Sequence, residues 1–278
     1  MTDALKLTDV SKKYDDFLLD NVSFNLPCGA IMGFVGENGA GKSTTIRLIL
    51  NMARRDSGEI SVLGHDAEDV MSDIGVVIDE TGFSNMMTAS GVNAVLRRIY
   101  KNWDEAEYRR ITDSFELPAK KTIKEYSRGM KMKLAIAAAM AHHPKLLVLD
   151  EATSGLDPIV RDELLEIFRE FVRDGEHSVF LSSHITSDLQ KICDYITFIH
   201  KGKIIFSEQK DELMLKYAIV NGTEDELHAC GISDIIAIRS ERDGTRAMLL
   251  RENVPSGMEY KPADIEDIML FMIREGSK

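Results

Sequence analysis

Between residues 30 and 50 the chain passes from an unbroken apolar run, Ala30-Ile31-Met32-Gly33-Phe34-Val35, through Gly36-Glu37-Asn38-Gly39-Ala40-Gly41-Lys42-Ser43 into Thr45-Ile46-Arg47-Leu48-Ile49-Leu50. The order constrains the fold more than any other feature. A continuous apolar run suits a central strand covered on both faces, and the segment after Gly41 reads as a helix. The glycines between them let the backbone curl so that successive N–H groups face phosphate oxygens, where the helix start adds its positive end. The spacing Gly-x4-Gly-Lys-Ser is that of a phosphate-holding loop. Lys42 supplies a point charge for the β and γ phosphates, and the Ser43 hydroxyl can ligate Mg²⁺. An ordinary glycine turn is the bland alternative, and the strand and helix on either side argue against it.

A second apolar run, Leu146-Leu147-Val148-Leu149, ends on Asp150-Glu151. Asp150 would then emerge at the carboxyl edge of a sheet, where open α/β folds bind ligands. It is expected to hold Mg²⁺, usually through water. Glu151 is next in line to polarise the water that attacks the γ phosphate, since phosphoryl transfer needs mainly in-line positioning and electrostatic stabilisation. An isolated Asp-Glu pair is usually a surface pair or a helix cap, and only the glycine loop changes that reading.

The rest of the chain fits a layered α/β core. Leu5, Leu7 and Val10, then Val22, Phe24 and Leu26, predict an opening pair of strands joined near Tyr14 to Phe17, and Glu59 to Leu63 and Ile74 to Ile78 predict two short strands. From about residue 84 to 121 the spacing turns helical, with Val92, Val95, Leu96 and Ile99 on one face. A helix dense in small residues ends near His143-Pro144, an amphipathic helix spans Arg161 to Arg173, and Ser178 to Leu181, Tyr195 to Ile199 and Lys203 to Phe206 return to the sheet. Residues 217–278 are less regular. Ala218 to Val220 and Arg246 to Leu250 suggest strands there, and Pro262 precedes a helix with Ile265, Ile268, Met269 and Met272 inward. That helix reads as a packing element in a segment that could regulate turnover, stabilise a dimer or cap core surface.

A net charge of -12 opposes a broad nucleic-acid-binding surface, which needs clustered Lys and Arg, so no nucleic acid is expected as partner. It does not forbid nucleotide binding, which a few backbone N–H groups and one lysine accomplish. Cys28, Cys193 and Cys230 are three, without metal-ligand spacing, and are expected to be reduced thiols. No stretch approaches the roughly 18 to 20 apolar residues that span a bilayer, and Met1-Thr2-Asp3-Ala4 lacks the features of a signal peptide.

Taken in order, Gly36 to Ser43, Tyr126-Ser127-Arg128-Gly129-Met130, Leu146 to Glu151, Ser154-Gly155-Leu156-Asp157 and His184 resemble the motifs of an ATP-binding-cassette ATPase, over approximately residues 1–207. The resemblance implies a P-loop NTPase cassette: a mixed sheet core, a helical signature subdomain at about 84–143, and a small α+β appendage at 208–278. It implies ATP and Mg²⁺ as cofactors. Gly36, Asn38, Gly39, Gly41, Lys42, Ser43 and Thr44 would hold the nucleotide, and Tyr14 would stack on adenine, although a solitary tyrosine is more often packing. Ser127 and Gly129 would contact the γ phosphate bound by an opposite subunit, and Arg128 and Met130 depart from the usual Leu-Ser-Gly-Gly-Gln signature. Asp157 lies in a D-loop that crosses between subunits, and His184 would bridge the γ phosphate and catalytic groups. Where the family usually carries glutamine after the Ile74 strand, this chain has Asp79, read either as a metal-shell and coupling residue or as part of a solvated acidic turn. His142 and His143 carry no such context and read as packing or surface residues.

The resemblance further implies a second ATP-binding subunit, most simply a second copy, and a separately encoded membrane permease, with the chain peripheral on the cytoplasmic face. The Tyr-Ser-x-Gly-Met signature, the acidic pair after Ile78 and the appendage resemble bacterial exporters of the bacitracin-resistance type and related drug or peptide systems. The competing class is a cassette ATPase that acts with a soluble partner. The marks of the non-transport members, namely two cassettes in one chain, a long coiled coil or zinc-binding cysteines, are not in this sequence.

Overall fold

The computed structural model describes residues 3–78, 82–223, 226–227, 235–241 and 244–275. The chain divides into two compact units, Met1–Ile204 and Ile205–Lys278. In the first, β1 (Asp3–Lys13), β2 (Leu18–Pro27) and β4 (Ser57–Val62) form an antiparallel sheet in the order β2-β1-β4. Val22, Phe24 and Leu26 of β2 are buried at every second position, as expected where one face is covered. The three-residue step from Leu7 to Val10 in β1 coincides with a register shift, and Asp9 there has φ 50°. A bulge thus keeps both residues on the core face.

The second sheet has the order β5-β6-β7-β3-β8-β9: β5 (Ile74–Ile78), β6 (Leu146–Asp150), β7 (Ser178–Ser183), β3 (Ile31–Val35), β8 (Tyr195–His200) and β9 (Lys203–Gln209). The pairs from β5 through β8 are parallel. Every residue of β3, β6 and β7 is buried, which is why these strands read as continuous apolar runs without alternation. Phe24, Phe34 and Phe180 join the two sheets, with ring centroids 5.3–5.7 Å apart. Burying each such ring is worth about 1.5–3 kcal/mol. Because the strands are parallel, Val35, Asp150 and Ser183 end at the same edge.

Helices α1 (Lys42–Ile49), α5 (Pro158–Phe171) and α6 (Thr186–Ile192) follow strands of this sheet, and α2 (Ala89–Ile99), α3 (Glu105–Ser114) and α4 (Arg128–Met140) make the helical segment. α4 approaches β5 closely because both contact surfaces are small: a β-carbon on Gly75 would lie 2.5 Å from the Ala139 carbonyl. Thr88 caps α2 through Gly91 N, and Asp104 caps α3 through the N–H groups of Ala106 and Glu107. The Glu107 N–H, then His143, hold the Asp104 carboxyl below the usual carboxylate range. One expected face is only partly covered. Val92 is fully buried, yet Val95 is 45% and Ile99 65% exposed.

In the second unit, α7 (Lys210–Lys216) precedes a four-stranded sheet in the order β11-β12-β10-β13: β11 (Ile235–Glu241), β12 (Gly244–Leu250), β10 (Tyr217–Gly222) and β13 (Lys261–Pro262). α8 (Ile265–Glu275) lies against β11. Its buried face is Ile265, Ile268 and Phe271, whereas Met269 and Met272 are half-buried. The spacing 265, 268, 271 rotates the stripe away from the expected methionines. Cys28 and Cys193 are half-buried and buried, and Cys230 lies outside the described residues.

Candidate active site

The glycine loop sits between β3 and α1 and is shaped by two demands. Gly41, the residue that caps α1, has φ 118°, a region that side-chain-bearing residues rarely enter. Gly36 has no room for a side chain: a β-carbon there would lie 2.5 Å from the Ile199 carbonyl of β8. Lys42 is buried, and its Nζ donates to the carbonyl oxygens of Gly36 at 2.7 Å and Glu37 at 3.2 Å. The ammonium therefore lies back across its own loop, above the first turn of α1.

At the end of β6, Asp150 is buried and its Oδ2 accepts a hydrogen bond from Ser43 Oγ at 2.8 Å. Its Oδ1 is buried without a hydrogen-bond partner. A buried carboxylate oxygen left unmatched beside a serine hydroxyl is a hard-oxygen donor set of the kind Mg²⁺ takes together with phosphate oxygens and water. Among the described residues no three His, Cys, Asp or Glu side chains converge, so a protein-only metal cage is absent from them. Asp79, the other expected metal residue, lies outside the described residues.

Glu151 joins three elements. Its N–H donates to the Ser182 carbonyl at 2.9 Å, its Oε1 lies 3.6 Å from Lys42 Nζ, and its Oε2 lies 2.7 Å from His184 Nδ1, just past β7. The residue has φ 53°, a left-handed conformation that costs a non-glycine residue about 1–3 kcal/mol and concentrates at functional sites. It turns the chain at the sheet edge so that the carboxylate faces the phosphate loop. The arrangement holds an acceptor carboxylate between the lysine of the glycine loop and a histidine, a geometry that could activate a water beside a phosphoryl group.

Gly41, Lys42, Ser43 and Glu151 line an open cleft of ≈ 630 Å³, whose lining does not include Gly36, Asp150 or His184. Asn38, Gly39, Gly41, Lys42, Ser43, Thr44 and Glu151 share its lining with Tyr14. Tyr14 is 43% exposed, with Lys12 Nζ 5.6 Å from its ring centroid. Sequence reasoning missed Asp16, Phe17 and Arg47, which share the cleft. Helical spacing could have found Arg47, one turn beyond Ser43. Phe17 is held by the turn in which Tyr14 N donates to its carbonyl at 2.7 Å.

The signature turn stands apart from this cleft. Ser127 and Arg128 are exposed, and neither Ser127 nor Gly129 is among the residues that line it. Ser127 Oγ accepts from Met130 N at 3.2 Å as the cap of α4. Tyr126 anchors the turn from below, its hydroxyl donating to the Pro118 carbonyl at 2.8 Å, and burial pushes its pKa up. Asp157 caps α5 through the N–H groups of Ile159 and Val160. His142 is a buried packing residue and His143 an exposed one paired with Asp104 at 3.1 Å.

Residues 19–154 match the family model described as ABC transporter. The bacitracin transport ATP-binding protein BcrA of Bacillus licheniformis is 35% identical over 213 residues, 74% of this chain and 69% of the relative. The lantibiotic transport ATP-binding protein SrtF of Streptococcus pyogenes is 33% identical over 220 residues, 74% of this chain and 91% of its own length. Among solved structures, an ATP binding subunit of an ABC transporter aligns with a TM-score of 0.68 at 27% identity, covering 76% of this chain and 91% of that one.

Proposed function

The chain belongs to the ATP-binding subunits of ABC transporters, ATP-hydrolysing cassettes of the P-loop NTPase fold, and from that premise we propose that two copies close head-to-tail on two Mg·ATP to drive a separately encoded membrane permease. Gly36, Asn38, Gly39, Gly41, Lys42, Ser43 and Thr44 cradle the phosphates, and Tyr14 stacks on adenine. Ser43 and Asp150 would hold Mg²⁺, with Asp79 as a further candidate for the metal shell, and a bound ion would supply positive charge to the phosphates. Glu151 accepts the proton of the attacking water, and His184 orients that carboxylate toward the γ phosphate. Ser127 and Gly129 close the partner's site with a hydroxyl and a helix-start N–H. Residues 1–207 would form the ATP-binding domain and 208–278 an appendage.

The observation that carries this reading is Glu151, held between Lys42 and His184 at the mouth of the phosphate cleft. For the permease, the support is an apolar groove of ≈ 300 Å³ between β5, α2 and α4, lined by Val76, Ile78, Phe83, Leu96 and Tyr100 among others. Met86, Val95 and Ile99 are exposed nearby in the chain, at 76%, 45% and 65%. Among the described residues no helix is long and apolar enough to cross a membrane. In this reading the permease holds the chain on the cytoplasmic face. The relatives named for bacitracin and lantibiotic transport favour export of drugs, peptides or lipid-like compounds.

Glu151→Gln tests the mechanism, because it removes basicity with little change in size. We expect ATP turnover to fall by about 100-fold or more, with ATP and Mg²⁺ now holding the protein as a dimer on sizing, and Lys42→Ala serving as the binding-defective control. Normal turnover would rule out Glu151 as the principal carboxylate. Crosslinks from cysteines placed in residues 84–121 should reach a permease in native membranes, and capture by soluble partners alone would favour the other class of cassette ATPase.

A further inference from the structure

We propose that Arg128 is a positioning residue that fastens the signature turn to the loop behind Glu151, so that the two half-sites carried by one chain move together. The proposal rests on the head-to-tail reading above. Arg128 is the first residue of α4, and Gly155 lies at the middle of the loop between Glu151 and α5. A β-carbon on Gly155 would fall 2.4 Å from Arg128 Nη1, 2.9 Å from Cζ and 3.4 Å from Nη2. The guanidinium therefore covers the space a side chain would take. Gly155 is required twice over, since its φ of 66° also suits glycine.

Two further contacts run along the same seam. A β-carbon on Gly129 would lie 3.3 Å from Val160 Cγ1 of α5, and one turn deeper Lys133 pairs with Glu163 at 2.5 Å. The first turns of α4 thus meet α5 and its approach loop at three successive points. That loop is fixed at both ends. Ser154 N donates to the Glu151 carbonyl at 3.0 Å at its start, and Asp157 caps α5 at its close. Arg128 touches the span between. Its guanidinium is planar and weakly hydrated, a group suited to lie against the backbone at Gly155.

The consequence is mechanical. Ser127 and Gly129 respond to nucleotide held by the second copy, whereas Glu151 serves nucleotide held by its own chain. A shift of the signature turn displaces Arg128, and the Gly155 backbone it presses on leads within four residues to the Glu151 carboxylate. Nucleotide on one side would thereby align the carboxylate on the other, a coupling between sites through an identifiable contact.

The test is a double-mutant cycle on the full chain, read as kcat, KM for ATP and Hill coefficient. For Arg128→Leu we expect kcat to fall about fivefold while KM stays within about twofold, because the misplacement affects alignment and not binding. The Hill coefficient should move toward one. Gly155→Ala should lower kcat further, and adding Arg128→Leu to it should cost nothing more, since the contact is already broken. Should Arg128→Leu lower the melting temperature, Arg128→Lys keeps the charge and stem without the planar face and carries the same expectation at smaller size.

Losses that multiply across the cycle would overturn the proposal, as would unchanged kinetics in Arg128→Leu. A rise in KM with kcat intact would overturn it too, placing the guanidinium on the nucleotide. Glu151→Gln run alongside separates the levels. If ATP fails to hold that variant as a dimer, the shared-site reading falls and this proposal with it; if the dimer forms and the losses multiply, only the role of Arg128 falls.

Discussion

The phosphate loop and the signature turn are both short glycine-bearing turns that open a helix, yet the chain completes only one of them. Lys42 is buried, bonded to two carbonyls of its own loop and 3.6 Å from Glu151, while Ser43 reaches Asp150 across 107 residues. The signature turn is anchored by buried Tyr126, but Ser127 and Arg128 are exposed and the Ser127 hydroxyl serves its own helix cap. One turn is completed by contacts within a single chain. The other presents a hydroxyl and a helix start outward, and in the head-to-tail reading proposed above its chemistry waits on a second molecule. Separate substitutions should therefore damage nucleotide binding and assembly independently.

The largest effect should come from the complete site. Lys42→Ala removes the buried cation and leaves the Glu151 carboxylate without it, and we expect turnover to fall by about 100-fold or more, with ATP binding lost in equilibrium dialysis. Retained ATP affinity would break the comparison, because it would mean that the loop backbone alone suffices. The next effect belongs to the other turn. Ser127→Asp preserves an N-cap acceptor for Met130 N, a feature worth about 1 kcal/mol, yet in the proposed dimer it would present a carboxylate to the partner's γ phosphate. Its melting temperature should match the unaltered protein and ATP binding to the single chain should persist, while the ATP-held dimer of the Glu151→Gln background disappears. A dimer that survives this substitution would remove Ser127 from the shared site.

The two turns also differ in how far the sequence declared them. Gly36 to Ser43 announced its position because the strand before it is buried on both faces and the helix after it begins at the last glycine. The parallel register then required that Asp150 and His184 reach the same edge, so spacing along the chain became proximity in space. Ser127 and Gly129 were legible only through a family pattern, since their local role, capping α4, is what any serine at a helix start does. Phe17 and Arg47 were missed because cleft walls are set by the way β1, β2 and α1 converge, which no linear pattern records. The contact of Arg128 with Gly155 was invisible for the same reason.

In the second unit legibility failed differently. α7 and β11 went unrecognised: Lys210–Lys216 reads as a charged linker, and Ile235–Glu241 pairs with β12 through an irregular register that breaks its alternation. One cluster of its core joins Val220, Leu227, Ala247 and Leu249. Deleting residues 217–278 should leave ATP affinity within about twofold of the full chain, because among the described residues none that lines the cleft lies beyond Glu151. Solubility or dimer assembly should decline instead. Loss of nucleotide binding together with unfolding of the core would show that the two units are one cooperative body.

The smallest effect sharpens the comparison by separating the helical segment, which carries the signature turn, from the sheet, which carries the phosphate loop. His142 follows α4 and sits at their junction. Its Nε2 lies 3.2 Å from the Ile74 carbonyl of β5, its ring stacks on Tyr100 at 4.3 Å, and its own carbonyl accepts from Asn102. Only 1% of the residue is exposed. Burial lowers its pKa, while the carbonyls of Ile74 and Ala138 pull the other way and lose. A folded-state pKa below the unfolded value of about 6.5 means that the unfolded chain binds the proton more readily. This contribution to stability is therefore fully present above pH about 6.5 and is lost as pH falls from there through the folded value. Acidification from pH 7.5 to 5.5 should accordingly lower the melting temperature and raise amide exchange in α2 and α4 before it affects β3 and α1. His142→Phe keeps the stacking ring, gives up the bond to Ile74 and has nothing to titrate. It should start from a slightly lower melting temperature and show a shallower slope over the same interval. An unchanged slope would assign the acid sensitivity to other groups, and equal loss of protection in β3 and α1 would mean that the helical segment and the phosphate loop do not come apart at this junction.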